Sequence, residues 1–489
     1  MFFLGVILSL AIVLTTLNPI KAVAQTYNNT QNYNEILKDT FPLTNTNSQT
    51  TLYIANITVT GNRETKEKII LRETTFKTGD TITAESLQNH LEQTKNNLLK
   101  LSLFNYVTIT TIPIEENIID ININVEERWY IWPIINITPH NGNLNDWLGN
   151  IDFSKIDYCF GVKKYNFRGR KEAISLNFRR GYNNFSEIGY SDIAVDKKRK
   201  NILGFYFSTA SQTQTILTIS NNKAIYQKFE ENKAISQYLY TINYSFRQTL
   251  NITHSLTYNH QNFSIHDSIA ILNPDYLGDG KNSLKFNSLK YSFRIDHRNS
   301  SYYPLHGWYC LVGLSKKGLF ENNLNTYSME LDLRQYFNPL PNTYLSMQIY
   351  ALNCGKNTPF AIRQSIGTKP NIIAGYEQYQ IPGNNIVYTR TSLKFKIIPT
   401  HIIHLKKIPL PKFNKIHITT YANIFANAGW SDNPSTDISA KHNKLNNTFL
   451  GAIGLGLDIV TYYDKVFCIY VAQNIQNDFS IGIGFKSFF

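Results

Sequence analysis

After residue 128 the sequence loses almost all helical spacing and becomes a series of long segments in which apolar and polar residues alternate. In segment 289–296, for example, Leu, Tyr, Phe and Ile alternate with Lys, Ser, Arg and Asp. Successive side chains of a β-strand point to opposite faces, so this pattern predicts strands with one apolar and one polar face. The alternation recurs at 174–179, 327–334, 344–349, 393–397 and 453–459. We therefore expect residues 129–489 to be almost entirely β.

Two architectures are compatible with strands that have one apolar and one polar face. In a soluble sandwich the apolar faces meet in a core, whereas in a transmembrane barrel they face lipid and the polar faces line a wet lumen. Aromatic residues make up 13% of the chain, which favours the barrel because aromatic belts mark its two interfaces. No long apolar run follows residue 20, which excludes a helical membrane protein. At about 9–11 residues per crossing, residues 129–489 accommodate on the order of 14–18 antiparallel strands.

The N-terminus predicts export. Residues 1–17 are apolar, Lys21 follows, and residues 22–24 read Ala-Val-Ala, the form of a signal-peptidase site. We expect residues 1–24 to be a signal peptide, with a membrane-anchoring helix as the alternative. Residues 25–50 are polar, rich in Asn and Thr and without a period, which predicts a linker.

The sequence offers little for catalysis or metal binding. It contains no Gly-x-Ser-x-Gly, no His-Glu-x-x-His and no Cys-x-x-Cys, so we expect no enzyme, no metal and no cofactor. Four scattered cysteines are predicted to be small apolar residues on strands, with a bridge between two of them, Cys310 and Cys354, as the alternative. They are Cys159, Cys310, Cys354 and Cys468.

Residues 51–128 predict a separate small α+β domain. An alternating strand at 52–60 leads through a Gly-Asn turn to a short helix that Thr65 is expected to cap. A longer helix follows, with apolar residues on one face and Glu85 in its first turn, and two strands at 106–114 and 118–128 close the domain as a hairpin. The leucines of that helix face are Leu87, Leu91, Leu98 and Leu101.

This unit resembles a POTRA domain, the polypeptide-transport-associated module of the periplasm. The resemblance rests on the Gly61-Asn62 turn after an Ile/Val strand, the pair Leu103-Phe104 before the next strand, and the ending Val-Glu-Glu-Arg at 125–128. An unrelated α+β domain remains the alternative. If the resemblance holds, it places residues 51–128 in the periplasm and residues 129–489 in a bacterial outer membrane.

The end of the chain resembles the C-terminal strand signal that is typical of bacterial outer-membrane proteins, with Gly484 and Phe489. Three further motifs in the β region resemble those of the BamA/TamA-type outer-membrane assembly family, and specifically its single-POTRA members of the Bacteroidetes group. A strand–turn–strand motif comprises Asp296, Arg298, Tyr303, Pro304 and Gly307. A lid-loop motif comprises Ala374, Gly375 and Tyr376, and a barrel-wall motif comprises Phe425, Asn427 and Gly429. The resemblance implies a 16-stranded antiparallel transmembrane barrel preceded by one POTRA domain.

Two departures from the family concern its lid. The arginine of the lid-loop motif is Ala374 here, and the aspartate with which it pairs in the barrel wall is Asn427. Because both partners are replaced, neither leaves an unpaired buried charge, which would cost several kcal/mol. We expect the loop to enter the lumen still, held by Gly375, Tyr376 and neutral hydrogen bonds. The alternative is a drifting paralogue whose lid no longer works.

Charge divides the chain at about the same place as the fold. Residues 25–140 carry a net charge of −4 and residues 141–489 a net charge of +16, within a total of +13. A basic barrel is expected to meet anionic lipid headgroups or an acidic client. Nucleic acid is not an expected partner, since the chain has no recognisable binding module.

The family resemblance implies a protein that helps to insert or translocate β-rich polypeptides. Its expected partners are outer-membrane lipids, unfolded β-rich clients and periplasmic accessory proteins. Two alternatives stay open at this stage: a dedicated exporter of one partner protein, and a passive pore or structural barrel.

Overall fold

The computed structural model describes residues 51–139, 156–181, 183–196, 198–229, 233–320, 324–368, 370–404, 415–432, 442–461 and 465–484. The predicted signal peptide and linker, and Phe489, lie outside the described residues. The boundary at residues 128 and 129 stays a prediction. Within the described ranges, no helix combines the length and apolar character needed to cross a membrane.

The N-terminal domain is a four-stranded sheet with two helices. Its elements are β1 (Thr51–Thr60), α1 (Glu67–Leu71), β2 (Thr81–Thr83), α2 (Ala84–Lys100), β3 (Phe104–Glu115) and β4 (Ile118–Glu127). The strand order is β2-β1-β4-β3, with β1 and β4 parallel and the other neighbours antiparallel. Apolar side chains of both helices and all four strands form one core, including Ile54, Ile70, Leu98, Val107 and Ile121. The expected α+β fold is confirmed.

Two local predictions in this domain are wrong. The short strand β2 was not expected, because three residues are too few to show an alternation. Thr65 does not cap α1, which begins after Lys66 without a side-chain cap. The Thr65 hydroxyl instead lies 3.0 Å from the Tyr130 hydroxyl and accepts a 2.8 Å hydrogen bond from the Asn166 amide. Thr65 therefore joins the domain to the following β structure.

The rest of the described chain is a 16-stranded antiparallel sheet in which strands follow one another in chain order, apart from two small hairpins. Its first eight strands are β5 (Ile131–Pro139), β6 (Ile156–Phe167), β7 (Glu172–Gly181), β8 (Asn183–Ala194), β9 (Asn201–Gln212), β12 (Ile235–Arg247), β13 (Ile252–Ile265) and β14 (Ser283–Asp296). The last eight are β15 (Gly307–Lys317), β16 (Thr326–Leu340), β17 (Thr343–Cys354), β20 (Asn385–His404), β21 (Lys415–Ser431), β22 (Leu450–Thr461), β23 (Lys465–Asn474) and β24 (Phe479–Gly484). The predicted strand number of 16 is confirmed.

The connections divide between two ends of the sheet. We call the end next to the N-terminal domain the near end. Its connections follow the second, fourth and every further even-numbered strand of the barrel, and short turns such as residues 168–171 and 195–200 are among them. The far end carries the hairpin of β10 (Gln214–Ser220) and β11 (Lys223–Lys228), and the helix α3 (Asp267–Leu272). It also carries loop 355–384, which contains the second hairpin, β18 (Ser365–Ile366) and β19 (Ile381–Pro382).

The two faces of the sheet differ as the alternation predicted. The outward face is apolar and exposed, with Ile135 at 73% and Ile453 at 67% exposure. The inward face carries Ser, Thr, Asn and charged residues. All four cysteines lie on strands and are free, so the alternative of a Cys310–Cys354 bridge is wrong.

Candidate functional site in the barrel lumen

Loop 355–384 folds back into the barrel and packs against the inner faces of the strands on either side of it. Its residues Ile373 and Tyr376 share an apolar cluster with Tyr350 of β17, Tyr388 of β20 and Leu450 of β22. The rings of the two wall tyrosines stack with centroids 4.8 Å apart. The loop therefore fills the lumen beside the C-terminal strands.

Tyr376 is a fully buried side chain of the loop, with 0% exposure. Its hydroxyl lies 2.7 Å from the Gln476 side-chain oxygen and 3.2 Å from the Gly451 carbonyl, and it accepts a 3.1 Å hydrogen bond from the Gly451 amide. A buried tyrosine hydroxyl needs such partners to offset its lost hydration. These contacts fix the loop to the far ends of β22 and β23.

The other two lid-motif residues occupy tight positions. Ala374 is buried in a cluster with Phe425, Tyr470 and Ala472. Gly375 adopts φ +95°, and a Cβ there would lie 2.8 Å from the Cβ of Ala452. Both observations show that small residues let this part of the loop approach the barrel wall closely.

The barrel-wall motif lies directly opposite. Phe425, Asn427 and Gly429 alternate along β21 and share its inner face. A Cβ on Gly429 would lie 2.7 Å from Cδ1 of Ile373, so this glycine admits the loop. Asn427 is buried, and its side-chain oxygen has no hydrogen-bond partner within the described part of the chain. The structure thus brings the lid and wall motifs together around Ala374 and Phe425, through apolar packing.

Charged groups also contact the loop, beside the neutral hydrogen bonds of Tyr376. Arg390, which is opposite Asn427 in the β20–β21 register, donates a hydrogen bond from the wall to the loop carbonyl of Ile372. The Tyr470 hydroxyl in turn donates to the loop carboxylate of Glu377. Sequence reasoning missed both contacts. The alternation shows that Arg390 points inward but gives no information on which loop atom it meets.

A second insertion comes from the near end. The strand–turn–strand motif begins with an ion pair, 2.7 Å between Arg298 Nη2 and Asp296 Oδ2, and ends at Gly307, where φ is +96°. Between them Pro304 and Tyr303 are buried. This turn, residues 297–306, enters the lumen from the side opposite to the lid loop.

Tyr303 makes the main contacts between this turn and the barrel wall. Its hydroxyl donates a 2.8 Å hydrogen bond to Asp458 of β22. The Nζ atom of buried Lys394 lies 4.2 Å from the centroid of its ring, and the ring of Tyr421 lies 5.0 Å away. A cation over an aromatic face is favourable, more so when it is desolvated. The last motif residue within the described chain, Gly484, ends β24 opposite Cys468 and takes no part in this site.

The described residues contain no group of three or more His, Cys, Asp or Glu side chains arranged to hold a metal ion. The described lumen holds two chain segments, loop 355–384 and turn 297–306, inserted from opposite ends.

The comparisons with known proteins agree with this architecture. Residues 52–128 match the POTRA family, described as a surface antigen variable number repeat, and residues 166–461 match the Omp85 superfamily domain. The chain belongs to the Omp85 superfamily. The sequence matches none of the curated proteins with which it was compared.

Among solved structures, this Omp85 chain is similar to CdiB from Acinetobacter baumannii, with a TM-score of 0.50, 13% identity, and coverage of 89% of this chain and 73% of that one. It is also similar to BamA from Haemophilus ducreyi lacking POTRA domains 1–3, with a TM-score of 0.46, 14% identity, and coverage of 88% and 83%. CdiB from Escherichia coli gives a TM-score of 0.48 at 10% identity, covering 96% of each chain. At such identities, the A. baumannii likeness supports the fold alone.

Proposed function

We propose that this Omp85 protein lies in a bacterial outer membrane with its POTRA domain in the periplasm, and that it helps β-rich polypeptides to insert into or cross that membrane. The observation that carries this proposal concerns the two end strands of the barrel sheet, β5 and β24. No backbone pair joins β5 to β24 within the described residues. Every other neighbouring pair of barrel strands is hydrogen-bonded.

The described part of the last strand, residues 479–484, pairs with β23 at six positions. Gly482 lies directly beneath the ring of Tyr470 on β23, since a Cβ there would be only 1.9 Å from that ring. Strand edges with unpaired N–H and C=O groups accept additional strands. A client hairpin that enters here would keep its backbone groups bonded within the membrane.

The POTRA sheet offers a second open edge. In the order β2-β1-β4-β3, the 12-residue strand β3 has a neighbour on one side. Its second half is exposed, including Ile112 at 47% and Ile114 at 56%. An extended polypeptide can add to such an edge through main-chain hydrogen bonds. We propose that this edge receives the client before it reaches the barrel.

Depletion in the host bacterium tests the proposal. All other outer-membrane β-barrels would be quantified by mass spectrometry after the protein is depleted. A fall in several barrels is the expected result, and unchanged levels of every barrel would overturn the proposed role.

A locked seam tests the mechanism more directly. In a variant with the four native cysteines replaced by alanine, a cysteine pair would be introduced across β5 and β24 and oxidised. We expect the locked form to fail to restore barrel levels and the reduced form to restore them. A matched pair that joins β16 to β17, which are already hydrogen-bonded, should have no effect in either redox state. A locked seam that restores barrel levels fully would exclude the seam as the route.

A dedicated exporter is the second candidate, and one observation favours it. A cavity of about 590 Å³ lies inside the far end of the barrel, lined by residues of β9 and β12 and by loop 355–384. Space in the lumen suits passage through the barrel, not through its seam. In the depletion experiment, this function predicts the loss of one or two surface proteins while other barrels keep their levels.

A further inference from the structure

A second cavity, of about 340 Å³, lies where the POTRA domain meets the near end of the barrel. Its lining comes from the segment after α1, the end of α2, the turns β6–β7 and β8–β9, and residues of β8, β9, β12, β13 and β14. Binding cavities for small ligands begin at roughly this size. It shares no lining residue with the lid or wall motifs.

The lining is strongly basic. Seven cationic and three anionic side chains face this cavity. Two of the anions already have partners: Glu73 lies 2.7 Å from Arg72 and 2.8 Å from Arg247, and Asp296 lies 2.7 Å from Arg298. Within the described chain, the remaining five cations form no ion pair. They are Lys100, Arg170, Lys171, Arg199 and Arg294.

The basic groups are held in place. Arg199 is only 8% exposed, and its Nη2 donates a 2.7 Å hydrogen bond to the carbonyl of Arg170. The Nε atom of Arg170 is buried and has no hydrogen-bond partner among the described residues. Burial lowers the pKa of Lys100 and of Lys171; the nearby carboxylates raise it and the nearby arginines lower it, and the net shift is downward for both. With seven cations against three anions, the cavity keeps an excess of positive charge.

We propose that this cavity binds a phosphate-bearing ligand. The planar fork of arginine matches the oxygens of a phosphate, and lysine adds a mobile point charge. Three arginines without ion pairs can offer such forks, and the excess of positive charge suits a group that carries up to two negative charges near pH 7. The ligand is a soluble phosphate ester or the headgroup of an anionic phospholipid that reaches between POTRA domain and barrel.

Thermal unfolding of the purified full-length protein in a neutral detergent tests the site. Inorganic phosphate and glycerol phosphate would be the soluble probes, with potassium chloride at equal ionic strength as the control. A ligand that binds only the folded state raises the melting temperature, and above its Kd this rise grows with the logarithm of the ligand concentration. We expect such a rise with phosphate beyond that with chloride.

Two charge-matched variants make the test specific. The double variant Lys171→Gln/Arg294→Gln removes two cations of the cavity and should need at least tenfold more phosphate for the same shift. Lys163→Gln and Arg179→Gln together remove two inward-facing cations of β6 and β7 outside this cavity, and should respond as the unmodified protein does. Equal responses of both double variants would overturn the proposal.

Protein in nanodiscs separates the two ligand sources. A shift with soluble phosphate indicates a soluble ester. A shift only with phosphatidylglycerol, absent with phosphatidylcholine and lost in Lys171→Gln/Arg294→Gln, indicates a lipid headgroup. No variant-dependent shift with either probe would overturn the proposal, whatever the outcome of the depletion experiment.

Discussion

The two walls of the lumen have the same alternating sequence pattern, but their inner-face residues differ in how far they are buried. The first wall, β6–β9 with β12 and β13, has half-exposed inner residues such as Ser208 and Thr241. The second wall, β16, β17 and β20–β23, has buried ones such as Gln348, Ser392 and Lys394. Loop 355–384 and turn 297–306 cover the second wall and leave much of the first open. The burial of an inner-face side chain thus depends on which chain segments enter the lumen. The alternation of apolar and polar residues does not predict those segments.

The walls also differ in how their near ends are closed. At the second wall, the barrel's own turn provides Tyr303. At the first wall, the POTRA domain contacts the near end, through the ion pair of Glu73 with Arg247 and a 3.0 Å hydrogen bond from the Lys66 amide to the Gly169 carbonyl. A domain contact can open without unfolding the barrel. We therefore expect the first wall to be the side at which access to the lumen changes.

The largest effect is expected from Tyr376→Ala in the second wall's lid. The change removes a fully buried ring and its hydrogen bonds, so the free energy of unfolding should fall by about 3–5 kcal/mol. Tyr240→Ala, on the outer face of the first wall at 50% exposure, is the matched control and should cost under about 1 kcal/mol. Denaturant titration followed by heat-dependent gel mobility would measure both. Equal losses would show that the lid is not a structural plug.

Glu73→Gln tests the closure of the first wall. It leaves Arg72 and Arg247 without their carboxylate, which should weaken docking of the POTRA domain by about 2–4 kcal/mol. Conductance in planar bilayers should rise as the near end opens, and unfolding of the barrel should change little. Glu67→Gln, on the exposed face of α1, is the control. An unchanged conductance in Glu73→Gln would show that another contact closes this wall.

The same contact predicts a pH dependence. Burial raises the pKa of Glu73 and the guanidinium groups of Arg247 and Arg72 lower it, with a net value below the usual range. A carboxyl whose folded pKa is lowered contributes stability above its unfolded pKa, and this contribution is lost as the pH falls through the folded value. Docking should be at full strength above about pH 5 and weaken below about pH 4. Glu73→Gln should flatten this profile, as measured by the distance between spin labels on the two parts.

Tyr303→Phe examines the near end of the second wall with a smaller change. The ring keeps its contacts with Lys394 and Tyr421, but the buried carboxylate of Asp458 loses a donor. Leaving a buried acceptor short of one partner costs about 1–3 kcal/mol. Conductance should not change, in contrast to Glu73→Gln. A rise in conductance without loss of stability would mean that both walls are gated at this end.

The smallest expected effect on the free energy of unfolding comes from replacing one serine on each wall by alanine. Ser346 is buried and donates a 3.3 Å hydrogen bond to the Ser392 carbonyl, so Ser346→Ala should cost about 1 kcal/mol. Ser208 is half-exposed on the first wall, and Ser208→Ala should lie within about 0.5 kcal/mol of zero. A loss at Ser208 equal to that at Ser346 would contradict the distinction between the walls.

The sequence determined the elements and the family motifs of this protein. Alternation with period two is a property of the extended backbone itself, so it predicted the strands around Leu289 and Ile453 and which faces point outward. Local composition likewise predicted α2 and the hairpin after it. It did not predict the three-residue β2, nor that Thr65 would bond to Tyr130 and Asn166 in place of α1.

Only the tertiary structure decided what those faces meet. Tyr376 bonds to a residue 100 positions away, and Arg247 to one 174 positions away. Neither contact leaves a local pattern, because the geometry that joins them is set by closure of the whole sheet. The basic cavity is the extreme case, since its five cations without ion pairs span residues 100–294. Their charges were visible in the sequence, but their convergence depends on how the POTRA domain docks beneath the barrel.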